Sequence, residues 1–201
     1  MGQFIAFVNE TGGFQARAGN GESIIRTDAF SDYGYFSSEN PFVLKPEFEN
    51  FPVSATNYYA TVEYTQWLQQ KTGLSIRLPS KIEWEYAASG GVATIYPWGE
   101  SWDPNLANFG PDLKQVGSYT PNAFGLYDMC GNVREWTADQ YYGPSDWADN
   151  ILTMVLKGGD FWADDFDYAR AKLSCRIGFD EYDAAQNSNT WGDGIRLVLD
   201  Y

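Results

Sequence analysis

The 201-residue chain contains no histidine. That removes the commonest general base near neutral pH and the commonest transition-metal ligand. Positive charge is also scarce: 13 Lys and Arg face 27 Asp and Glu, for a net charge of −14. Such a field repels phosphates and anionic lipid, so nucleic acid is not an expected partner, and cations or basic ligands suit better. The two cysteines, Cys130 and Cys175, are too few for a zinc site without histidines. They are compatible with one disulfide, but two buried thiols are the expected state. No apolar run approaches the ~20 residues that span a bilayer, and no charged-then-apolar signal segment opens the chain, so membrane insertion is not expected. There is no nucleotide-binding glycine motif, internal repeat or low-complexity tract.

What is abundant is aromatic and turn-forming. Aromatic residues make up 17% of the chain, with 14 Tyr and 8 Trp beside 20 Gly. Some of these rings must fill a core, and a chain of this length is expected to form one domain, 1–201. The rest, interleaved with Asn, Ser and Asp, resemble a recognition surface, where stiff amphipathic rings supply contact at low entropic cost.

Local signals place several elements. Phe4, Phe7 and Val8 sit at helical spacing in 3–11, with Gly12 just beyond. Residues 13–50 show no sustained period yet carry Phe30, Tyr33, Tyr35, Phe36 and Phe42, and read as a long ordered loop. A helix is expected from about Asn57 to Lys71, with Tyr58, Val62, Trp67 and Leu68 inward and Gly73 past its end. Ser80-Lys-Ile-Glu83 is a capping box opening a second helix, which Trp84, Tyr86, Ala87 and Ala88 are expected to pack. Strand patterns follow at 152–156 and 195–199. Arg170 and Arg176 are expected in structural ion pairs.

The stretch Asn122–Trp136, NAFGLYDMCGNVREW, is the most informative. Gly131 frees the backbone for a left-handed turn, and Asp128 and Glu135 flank it. Oxygen ligands around a glycine turn suit a hard cation, above all calcium. A polar turn closed by a side-chain hydrogen bond accounts for the same residues.

GLYDMCGNVREW, together with RLPSKIEWEYAASGG (77–91), YPWGE (96–100), KGGDFW (157–162) and GIRLV (194–198), resembles the sulfatase-modifying-factor family, which includes the formylglycine-generating enzyme. The resemblance covers roughly residues 50–201 and implies an α+β fold of the C-type lectin-like kind, with small twisted sheets, few helices and much ordered loop. It implies one calcium site from the side chains of Asp128 and Glu135 and the carbonyls of Gly131 and Val133. A second would be built from Asn108, Phe109 and, through a shortened loop, Asp112. Family members usually carry a strand before the first helix. It is missing here, so a neighbouring chain or subunit, or the loops of 13–50, is expected to cover a sheet edge.

The enzyme of this family uses two cysteines, three and eight residues beyond the residue after its glycine pair, because soft thiolates bind the copper that activates oxygen. After Gly158-Gly159-Asp160 those positions are Ala163 and Tyr168. Neither binds copper, and neither copper nor iron is an expected cofactor. The expected role is therefore a non-catalytic ligand- or receptor-binding module, such as a phage or cell-surface adhesin, on a virion or cell surface. The alternatives are a decoration subunit of a particle and a divergent oxidative enzyme of the same family. Binding proteins of this fold use the segment after the glycine pair. Here that implicates Trp162, Asp164, Phe166, Tyr168, Phe179, Tyr182 and Trp191, facing a protein or glycan ligand, with the competing reading that these rings are core.

Overall fold

The computed structural model describes residues 1–11, 42–142, 152–161, 175–184 and 192–201. Helix α1, Gly2–Thr11, buries Phe4, Ile5, Phe7 and Val8, the face its spacing predicts. Helix α2, Tyr58–Thr72, starts where the Asn57 side chain accepts the Ala60 N–H at 2.8 Å and stops at Gly73, whose φ of 70° a side chain would resist.

The buried face of α2 departs from expectation. Ala60, Thr61, Tyr64 and Thr65 are inside, while Tyr58, Val62, Trp67 and Leu68 are half-buried and pack against two different clusters. The helix is wedged between those clusters. Thr61 and Thr65 tolerate burial because each hydroxyl donates to the carbonyl four residues back, at 3.1 and 2.7 Å. Phe4 and Tyr64, with ring centroids 5.2 Å apart, join α1 to α2.

Strand β1, Ser75–Arg77, leads into helix α3, Lys81–Ser89, whose capping box is complete: Ser80 accepts from Glu83 N and Glu83 accepts from Ser80 N. Trp84 and Ala88 face inward, but Tyr86, expected in the core, is 65% exposed. At about 100° per residue Tyr86 lies roughly 200° from both Trp84 and Ala88, on the opposite side of the helix from the face they bury.

The main sheet has the order β4-β3-β2-β5. Its members are β2 (Arg134–Gln140), β3 (Thr153–Lys157), β4 (Glu181–Ala184) and β5 (Asp193–Gly194). β5 runs parallel to β2 and the other neighbours are antiparallel. Trp136, fully buried, anchors the sheet to α2 through its ring contact with Tyr58 and its indole N–H on Thr56 O at 3.0 Å. Strand β3 begins and ends one residue later than the sequence pattern suggests.

The closing strand differs more. Only β6, Val198–Asp200, pairs, antiparallel to β1, while 195–197 carry no strand pairing. Among the described residues the β1–β6 sheet has two strands and no third. Cys130 and Cys175 correct another expectation. They form a disulfide, with Cα atoms 5.0 Å apart, inside an aromatic cluster with Tyr96, Trp98 and Trp102.

Candidate functional site

The turn from Asp128 to Glu135 is built from backbone conformations most residues avoid. Asp128, Gly131 and Asn132 all have positive φ, of 55°, 76° and 67°. At Gly131 the reason is visible: a Cβ there would lie 2.5 Å from Asn108 O. The turn is held by Gly131 N on Gly158 O at 2.8 Å, by Asn132 N on Asn108 O at 3.0 Å and by the disulfide at Cys130.

Asn132 is the hub of this turn, and the sequence reading passed it over. Its side-chain oxygen accepts from Asn108 Nδ2 and Lys114 N, its amide donates to Lys114 O, and its carbonyl accepts Phe161 N.

Glu135 leaves the turn at the start of β2, buried. Its Oε2 accepts the Trp84 indole N–H and Arg196 Nε, both at 2.7 Å, and its Oε1 accepts Arg196 Nη2 at 2.9 Å. Arg196 also donates to Tyr127 O at 2.9 Å. Burial works against its charge, but Glu135 opposite raises its pKa on balance. A lone arginine inside the apolar block Gly194–Val198 is the one sequence signal for this pair. Asp128 is half-buried and accepts Gly117 N at 2.7 Å. Burial pushes its carboxyl up, against the opposing pull of the Gly117 N–H and Arg196.

Asp128, Val133 and Glu135, with Phe4 and Phe51, line one cavity of about 730 Å³, of which Gly131 is not a lining residue. A carboxylate offers about four lone-pair sites. Glu135 uses three and Asp128 one, so the two retain acceptor capacity for a hard cation. Among the described residues no group of three or more His, Cys, Asp or Glu could hold a metal ion. A cation here would depend on two carboxylates and backbone oxygens, a ligand set calcium accepts.

The Asn108 side chain is buried: Nδ2 donates to Asp112 O at 3.0 Å and to Asn132 Oδ1 at 3.1 Å, and Oδ1 accepts from Gly110 N. Phe109 packs on Trp102, and Asp112, exposed, meets Asn108 through its carbonyl.

The expected ligand segment is held at both ends by neighbouring residues. Phe161 N donates to Asn132 O at 3.0 Å, and Gly192 O accepts Arg134 N at 2.8 Å. Arg134, buried, pairs with Asp193 and, at 3.6 Å, with Asp160. Trp162, Asp164, Phe166, Tyr168 and Trp191, with Arg170, lie outside the described residues. Phe179 is half-buried and its carbonyl accepts Lys157 Nζ. Tyr182 pairs with Val155 in the sheet, and Arg176 is exposed.

The fold is α+β with small mixed sheets, and the site is a glycine turn carrying two carboxylates. Residues 2–201 match the family described as the sulfatase-modifying factor enzyme 1-like domain, and the chain belongs to that family. It is 45% identical over 101 residues to the serine/threonine-protein kinase pkn1 of Chlamydia pneumoniae, a match covering 49% of this chain and 15% of that one. It is 33% identical over 156 residues to the inactive C-alpha-formylglycine-generating enzyme 2 of Bos taurus, covering 68% of this chain and 48% of the relative. The chain thus spans less than half the length of either relative. Among solved structures, PvdO from Pseudomonas aeruginosa superposes with a TM-score of 0.65 over 98% of this chain and 75% of its own, at 24% identity, a likeness of fold.

Proposed function

We propose that this domain is a non-catalytic binding module that presents a ligand- or receptor-contacting segment, residues 161–191, from a rigid family scaffold. The observation that carries the reading is the pair Ala163 and Tyr168, where copper-dependent cysteine oxidation needs two thiols. The name of the bovine relative, an inactive formylglycine-generating enzyme, supports a scaffold kept without its chemistry. So does the anchoring of Phe161 and Gly192 beside one another, since a long excursion on a fixed base is a common way to carry a recognition surface. Trp162, Phe166, Tyr168, Phe179, Tyr182 and Trp191 are the contact aromatics, for a protein or glycan ligand. The disulfide supports a virion or cell-surface setting, because such bonds persist outside reducing compartments. A neighbouring chain or subunit, or the loops of 13–50, covers the edge of the β1–β6 sheet, which among the described residues has two strands.

Calcium belongs to this reading as a structural ion held by Asp128 and Glu135 with the carbonyls of Gly131 and Val133. It would neutralise the half-buried Asp128 and stiffen the turn at the base of the segment.

Two measurements test the function. Incubated with copper, oxygen and a Cys-x-Pro-x-Arg peptide, the protein leaves the peptide unchanged; aldehyde formation at enzyme-like rates overturns the reading. Alanine variants of the segment aromatics should weaken binding to an array of glycans and surface proteins while leaving melting temperature near wild type. Unfolding by every variant, with no selective loss of binding, makes the segment core.

A further inference from the structure

Helix α3 is apolar on two opposite faces. Trp84 and Ala88 pack inward, while Ile82 and Tyr86, four residues apart and so on one face, are 70% and 65% exposed. Tyr86 does not stand alone. Phe124, 46% exposed, lies against it with ring centroids 5.4 Å apart.

The ledge these three residues make is fixed. Asn122 donates through Nδ2 to Ala87 O and Ala88 O at 2.6 and 3.1 Å, capping α3, and accepts Phe124 N and Leu126 N through Oδ1 at 3.0 and 3.1 Å. One side chain thereby ties the 122–126 turn to the helix end. Gly91, at φ 85°, lets the Phe124 ring lie on its backbone: a Cβ there would meet the ring at 2.9 Å. Aromatic anchors already held in place lose little entropy on binding.

Charge selects the occupant. At about 100° per residue, Glu83 and Glu85 fall on either side of the Ile82–Tyr86 stripe; each is already paired with one cation, Arg77 and Lys157, and the charge that remains for a partner is the −14 of the whole chain. A second copy would bring a second −14 against this face. A cationic surface would be drawn to it, and an arginine over Tyr86 or Phe124 gains a cation–π contact.

We infer that the Ile82–Tyr86–Phe124 ledge is a docking site for a partner protein, in the form of an amphipathic helix presenting leucine-type side chains flanked by arginines. A ridge of residues four apart on α3 suits the groove of such a helix. The inference uses no residue of 161–191 and stands or falls independently of the reading given to that segment.

The probe is an acetylated, amidated dodecapeptide of leucine and arginine in helical register, with a leucine–glutamate peptide of the same register as comparison. Binding is followed by fluorescence anisotropy, alongside the melting temperature of each variant. The arginine peptide should bind saturably, and the glutamate peptide should not. Tyr86→Ala and Phe124→Ala should each weaken binding about tenfold or more, with Ile82→Ala acting in the same direction, while Tyr142→Ala, exposed elsewhere, leaves it unchanged. Equal affinity in the ledge variants, equal binding of the glutamate peptide, or no binding overturns the inference. So does concentration-dependent self-association that Tyr86→Ala abolishes, which would make the occupant a second copy.

Discussion

Arg196 grips Glu135 through two parallel hydrogen bonds, Nε to Oε2 at 2.7 Å and Nη2 to Oε1 at 2.9 Å, across 61 residues of sequence. The pair joins the last extended segment to the first residues of β2, and the Trp84 indole on Oε2 adds α3 to the same point. Three elements distant in sequence thus share one carboxylate.

Removing one partner leaves a buried charge uncompensated, which costs about 3–5 kcal/mol. Arg196→Ala, which strands the buried Glu135, should lower stability on that scale in denaturant unfolding, and Glu135→Ala should cost less, because the Arg196 side chain keeps about a quarter of its surface in water. The double variant should cost less than the sum of the two. Additive losses would show that the residues act separately.

Asp128 separates the calcium proposal from a plain hydrogen-bonded turn better than Glu135 does, because Glu135→Ala destabilises in either case. Burial raises the Asp128 pKa in the fold. Its charged form is therefore penalised, and its contribution to stability falls as pH rises from the unfolded value through the folded one. In chelator at pH 7, Asp128→Asn should raise the melting temperature. With calcium added, wild type should gain about 2.7 kcal/mol at a hundredfold excess over Kd, and Asp128→Ala should gain little. A wild-type protein indifferent to calcium and chelator alike would leave only the turn.

Glu83 should give the opposite pH signature. Its carboxyl is held at about 2 by Arg77 first and then by the Ser80 backbone N–H and hydroxyl. A lowered folded pKa means stability present above the ordinary carboxylate value and lost as pH falls from there toward 2. Melting temperatures measured between pH 5 and 2 should fall less steeply in Glu83→Gln than in wild type. The effect is modest, because both Glu83 and Arg77 are partly solvated. Parallel curves would remove Glu83 from the account.

The disulfide closes a loop with a sequence separation of 45, for which loop-closure entropy gives about 4 kcal/mol. Non-reducing peptide mapping should recover Cys130 linked to Cys175, and reductant should lower the melting temperature of wild type but not of a Cys130→Ala, Cys175→Ala double variant. Equal sensitivity to reductant in both would contradict the cross-link.

The elements legible in the sequence are those whose determinants lie within a few residues of one another. Asn57 before α2, Gly73 after it and the Ser80–Glu83 box act over one helical turn, so composition and spacing suffice to place them. The family blocks likewise carried the fold class and the glycine turn. Which face of a helix is buried was another matter. Spacing marks Tyr86 as apolar, but whether it meets core or solvent depends on what the rest of the chain puts beside α3. The break of the closing strand at 195–197, the disulfide, the Asn132 hub and the grip of Arg196 on Glu135 all join residues far apart in sequence. No local pattern encodes such pairings, because their energy comes from groups that meet only when the sheet and helices are already packed. The sequence alone determined the local starts, stops and turns of this protein, and the absence of the family's thiol pair. Tertiary packing decided which carboxylates share a cavity and which rings remain outside.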